Sequence, residues 1–118
     1  MRREAAYLGD IVAEADVILR KLEKSSFDDF LADPIFSRGV LHSLMIIGEA
    51  ANRIPDEVCA RYPQVPWRDL VGLRHRIVHD YAGVDLKLVW SLITVRLAPL
   101  REQVAEILDR DYPSLPAS

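Results

Sequence analysis

The spacing of apolar residues constrains this chain more than any other feature. Tyr7, Leu8, Ile11, Val12, Ala15, Ile18, Leu19 and Leu22 recur at intervals of three and four, which marks one face of an α-helix. The spacing predicts a first helix over residues 4–24. "SSFDDFLAD" reads as a capped short helical turn, with Ser26 as the cap and Asp28 and Asp29 in the first turn. Asp33-Pro34 is a cap followed by proline and opens a second long helix carrying Val40, Leu41, Leu44, Ile47 and Ala51. Pro55 starts a short helix that stops before "YPQVP", and Pro66 starts another. Gly83 is expected just past the end of that helix in a left-handed conformation. Asp85 caps a last long helix with Leu86, Val89, Trp90, Ile93 and Leu97, and Pro99 predicts a kink or break near 95–99. No strand pattern, repeat or low-complexity block interrupts the series. The expected fold is all-α, an up-and-down helical bundle.

Size and composition set bounds on this picture. A chain of 118 residues, half hydrophobic and 28% charged, suits one domain with one core. The domain is expected over residues 1–110, with 111–118 as a C-terminal tail. No stretch is apolar enough to span a membrane, and "MRREAAYLGD" lacks the apolar centre of a signal peptide. Cys59 is the single cysteine, so no internal disulfide forms, and a reducing cytoplasm fits that count. Cys59 reads as a small apolar filler.

The net charge is −3, but the distribution is uneven. Between Arg61 and His79 four arginines (Arg61, Arg68, Arg74, Arg76) stand against one acid, Asp69. Such a local basic surface suits a polyanion, and a solvated helix face has the same composition. In "LRHRIVHDYAGVD", the eight residues from Arg74 to Tyr81 gather two arginines, two histidines, an aspartate and a tyrosine. At about 100° per residue, Trp67, Leu70, Val71, Ile77, Val78 and Tyr81 fall on one apolar stripe, and Arg74 falls inside it. A guanidinium there needs a carboxylate, a phosphate or a wet cleft. Glu49, at the edge of the second helix's apolar face, is a candidate partner, and a purely structural Arg74–Glu49 pair is one reading. His79 lies about 140° around the helix from Arg74. Either the last turn unwinds, or two copies of the helix complete one cleft across a two-fold axis. His79 sits in the last turn, where the helix C-terminus favours an imidazolium.

Three chemistries compete. His75 and His79 are four apart and can face a metal together, but Asp80 is badly placed to complete the set, so no metal site is expected. Nucleotide-dependent phosphoryl transfer wants a glycine-rich loop, which five scattered glycines do not provide. RNA cleavage needs less. The 2′-hydroxyl is an internal nucleophile, so one proton-transfer group and one phosphate clamp suffice in principle.

Arg74, four residues, His79, one residue and Tyr81 form R-x4-H-x-Y. With "FLADPIF", "IIGEAANRIP", "RYPQVPWRDLVGLRHRIVHDY" and "GVDLKLVW" in that order, the chain resembles the HEPN ribonuclease toxins. The likeness is to the HepT branch, whose antitoxin is the minimal nucleotidyltransferase MntA. The resemblance implies a helical homodimer with paired motifs lining an interfacial cleft. It implies metal-independent cleavage of RNA, a tRNA or an mRNA, with no cofactor. Arg74 and His79 would be catalytic, Arg74 holding the scissile phosphate and His79 moving protons. Tyr81 would be the residue that the antitoxin AMPylates. His75, Glu49 and Arg76 are expected as auxiliary residues. Many relatives carry asparagine where this chain has His75, a departure that bears on that position's role. A non-catalytic helical adaptor that binds a nucleotidyltransferase is the alternative.

Overall fold

The computed structural model describes residues 3–113. Seven α-helices follow one another: α1 (Arg3–Leu22), α2 (Phe27–Ala32), α3 (Pro34–Asn52), α4 (Asp56–Arg61), α5 (Trp67–His79), α6 (Leu86–Ser91) and α7 (Leu97–Asp111). A 3₁₀ turn, Tyr81–Gly83, separates α5 from α6, and a π-helical segment, Leu92–Arg96, joins α6 to α7. Among the described residues there is no strand, and the all-α expectation holds. No helix is long and apolar enough to cross a membrane among the described residues. Asp111 belongs to α7, and of the expected tail residues 114–118 lie outside the described residues.

Local chemistry sets the boundaries. At α2 the Ser26 amide donates to Asp29 Oδ2 at 2.9 Å and the Asp29 amide donates back to Ser26 Oγ at 3.1 Å, a reciprocal capping box. The Ser26 amide holds the Asp29 carboxyl below its ordinary range. At α3 the Asp33 carboxylate accepts from the Ile35 and Phe36 amides, with Pro34 in the first turn. At α6 the Asp85 carboxylate accepts from the Lys87 amide at 2.9 Å.

The long helices form the frame. α3 packs between α1 and α5, and α7 packs on α1. The molecule measures 44 × 32 × 21 Å; its thinnest dimension is about two helix diameters. Leu8, Ile11, Leu44, Ile47, Ile77, Ile93, Leu97 and Val104 are fully enclosed. Phe30 meets Phe36 edge-on at 5.2 Å and Trp90 at 5.4 Å, which ties α2, α3 and α6 together. Arg101 on α7 grips Asp16 on α1 through two bonds, 2.9 Å from Nε and 3.3 Å from Nη2, the forked geometry that suits a carboxylate.

Two expectations need correction. Gly83 is not left-handed: no described residue has a positive φ. α5 ends instead at Asp80, whose backbone (φ −146°, ψ 58°) is neither helical nor extended and leads into the 3₁₀ turn. A Cβ at 83 would meet the Asp80 carboxylate, the free end of an exposed side chain. The kink foreseen at 95–99 is a π-helical turn beginning at Leu92, in which the Leu97 amide donates to the Leu92 carbonyl five residues back. Pro99 has no N–H to offer the Val95 carbonyl and crowds it, so the helix widens on the N-terminal side of the proline.

Candidate active site

α5 carries the motif and α3 positions it. Gly48 on α3 makes the close crossing possible. A Cβ there would lie 2.6 Å from the Leu70 carbonyl oxygen and closer still to the Arg74 Cβ. Trp67, Leu70 and Ile77 bury one face of α5, and the Trp67 indole donates to the Tyr62 carbonyl at 3.0 Å. Arg74 lies on this buried side with its side chain one third exposed (33%). Its Nε is closed off from water and stands 2.6 Å from Glu49 Oε2 without an aligned hydrogen bond. The contact is therefore chiefly ionic. The other carboxylate oxygen of Glu49 accepts from Arg53 Nε at 2.9 Å, and Glu49 followed by Tyr7 raises the Arg53 pKa. A cleft of about 290 Å³ opens here, lined by Tyr7, Asp10, Met45, Ile46, Glu49, Ala50, Arg53 and Arg74.

The remaining motif residues lie elsewhere on the helix. His75, Arg76, Val78, His79 and Tyr81 are all exposed. The His75 and His79 rings meet at 4.2 Å between centroids, tilted by 48°. Arg76 lines a separate groove of about 440 Å³ with Arg68, Leu73 and Leu88. Tyr81 is 45% exposed, so its expected place on the apolar stripe is corrected, as is that of Val78 at 46%. The stripe loses its cover at the end of α5, and Tyr81 sits in the 3₁₀ turn, beyond the reach of α-helical phase.

Of the expected site residues, the fold joins Arg74 to Glu49 and His75 to His79. It does not join the two groups. α5 stays α-helical through His79, so the angle of about 140° between Arg74 and His79 is retained and the last turn does not unwind. Arg53 and Tyr7 were not singled out in the sequence; the four-residue spacing from Glu49 to Arg53 was the available signal for the first. A larger cavity, about 750 Å³, lies beside the start of α5 and is lined by Asn52, Cys59, Trp67 and Arg68, away from the motif. Burial pushes the Cys59 thiol pKa up, which suits an unreactive filler. Among the described residues, no three His, Cys, Asp or Glu side chains gather as a metal-binding group.

Chemically, the chain offers a guanidinium in a cleft and an exposed imidazole pair on another face. Comparison with known proteins gives this arrangement a context. A relative from Caldanaerobacter subterraneus subsp. tengcongensis, bearing the name "Putative RNase", is 34% identical over 94% of this chain and 99% of its own. One from Thermococcus cleftensis, named "Probable ribonuclease HepT", is 32% identical over 85% of this chain and 91% of its own. A "Putative RNase" of Methanocaldococcus jannaschii is 31% identical over 87% and 85%. No solved structure matches the chain significantly. The family model described as "Ribonuclease HepT-like" matches residues 11–107, and the chain belongs to that HepT-like ribonuclease family.

Proposed function

We propose that this chain is the toxin of a toxin–antitoxin pair, a metal-independent endoribonuclease working as a homodimer on tRNA or mRNA in the cytoplasm. The observation that carries this reading is the separation of Arg74 from His79 on an unbroken helix, with His79 and Tyr81 exposed near its end. A two-fold axis there brings the clamp of one protomer toward the imidazole of its partner, and one continuous cleft receives RNA. The 2′-oxygen attacks phosphorus, a 2′,3′-cyclic phosphate forms, and the 5′-oxygen leaves with a proton. His79 takes the proton from the nucleophile or delivers it to the leaving oxygen. Arg74 offsets the negative charge that builds on the non-bridging oxygens.

Control falls to Tyr81. An MntA-type nucleotidyltransferase joins its hydroxyl oxygen to the α-phosphorus of ATP, and pyrophosphate leaves. The exposed hydroxyl-bearing ring is open to such an enzyme. The attached phosphate brings negative charge and bulk that compete with RNA for the clamp.

A second reading, a non-catalytic adaptor for a nucleotidyltransferase, draws on the Arg74–Glu49 pair, which gives Arg74 an internal structural partner. Expression of the wild type beside His79→Ala separates the two. Growth arrest by the wild type and its loss in the variant support the ribonuclease. Equal toxicity of the two proteins overturns it.

A further inference from the structure

Arg74 is held by a strut. Its Nε is enclosed and faces Glu49 at 2.6 Å, while its terminal amino groups reach solvent and donate to no side chain. Glu49 is itself tied, through its other oxygen, to Arg53 one turn along α3. Arg53 is the more exposed of the two arginines, with 56% of its side chain accessible. α3 is anchored by its enclosed face of Leu44 and Ile47, so the carboxylate stands on a rigid element. The two arginines share one negative charge, and the solvent-facing end of Arg74 is left for an anion.

We propose that Glu49 is a positioning residue for RNA cleavage and Arg53 its support. Together they aim the Arg74 amino groups at the scissile phosphate. This rests on the ribonuclease reading of Arg74 above. A flexible arginine reaches a phosphate in many rotamers, and few of them place its donors where charge develops in the transition state. Fixing Nε from behind selects among them. Such outer partners commonly matter by about 10- to 100-fold. Glu49 also repels the substrate, so its work is visible in turnover and not in affinity. The same carboxylate therefore raises kcat without lowering KM, a split that a merely structural residue does not produce.

The test is steady-state RNA cleavage by the full-length protein, wild type against Glu49→Gln, Arg53→Gln, Arg74→Lys and the Glu49→Gln/Arg74→Lys double variant. Urea unfolding of each accompanies it. Glu49→Gln is expected to lower kcat about 10- to 100-fold while KM stays level or falls, and Arg53→Gln to lower kcat less. Lysine has a carbon at the ε position that Glu49 faces in Arg74, so in the Arg74→Lys background the Glu49 change is expected to add little. Independent, additive losses overturn the proposal, as does an unchanged kcat with a lower KM, which would make Glu49 a competitor of phosphate. Should Glu49→Gln fail to fold, Glu49→Asp replaces it, with an intermediate loss of kcat expected and wild-type kcat overturning the strut. If Arg74→Lys cleaves as fast as the wild type, the reading of Arg74 as the clamp fails, and the strut with it. If Arg74→Lys is slow and Glu49→Gln is not, only the strut fails.

Discussion

Gly48 and Arg74 meet backbone to side-chain root at the crossing of α3 and α5, with no room for a methyl group between them. The contact places the clamp beside Glu49, the neighbour of Gly48 in sequence. Gly48→Ala inserts a carbon against the Leu70 carbonyl oxygen and the Arg74 Cβ, both parts of a packed helix. Overpacking of this kind typically costs about 1–3 kcal/mol. Urea unfolding is expected to show that loss, and cleavage to weaken beyond it because the strut is displaced. Wild-type stability and activity together would show that the crossing is looser than described.

His79 is exposed, with its ring against that of His75, so His79→Ala is expected to change stability by no more than about 0.5 kcal/mol. Cleavage should fall by about 10²–10⁴. The wild type should retain its rate in EDTA. Loss of activity on chelation, restored by added zinc, would return His75 and His79 to the metal reading.

Tyr81→Phe removes one oxygen from an exposed ring. The variant is expected to fold, to stay toxic and to escape neutralisation by active antitoxin with ATP. Intact-mass analysis after co-expression checks this through AMP-sized additions on the wild type alone. Additions on the variant, traced to Tyr7, Tyr62 or Tyr112, would remove Tyr81 from the mechanism.

Light scattering is expected to give twice the 13.4 kDa chain mass at micromolar concentration. Val78→Glu, at an exposed apolar position between the two histidine turns, should shift the protein toward monomer and lower its specific activity. A monomeric wild type that still cleaves RNA would refute the shared cleft.

Tyr62 donates its hydroxyl hydrogen to Asp111, and that bond, followed by burial, raises the Tyr62 pKa. A raised folded-state value means the stabilisation is whole below the unfolded pKa of about 10 and is lost as pH climbs through the folded one. Tyr62→Phe should lower the melting temperature at neutral pH and flatten the decline above pH ~10. A variant whose alkaline decline matches the wild type would contradict this.

Residues whose partners are near in sequence were the legible ones. Ser26, Asp29, Asp33 and Asp85 cap helices through bonds spanning two or three residues, so the cap residue and its position carry the information. The Arg74–Glu49 pair was visible because a cation on an apolar stripe calls for an anion on the facing helix. Arg53 was hidden because its exposed position gives it no such demand. Tyr81 was misplaced because helical phase was carried past the point where the helix ends. Gly83 was misread because α5 ends through the backbone of Asp80 and a 3₁₀ turn, which a glycine after a helix does not reveal.

The wide turn at Leu92–Arg96 also decides where the chain tolerates a change of length. Val89 and Leu97 are both buried, yet eight α-helical steps would set them about 80° apart. The π turn absorbs one residue, so the steps count as seven and the mismatch falls to about 20°. Deleting one residue from this segment would let it close into ordinary α-helix with Leu97, Leu100, Val104 and Ile107 still facing inward. The same deletion after Val104 would swing Ile107 by about 100° toward water. Pro99 still crowds the closed helix, so of paired deletion variants the first should melt below the wild type and the second lower still. The segment is a register joint, a place ahead of α7 where losing one residue leaves the core in phase.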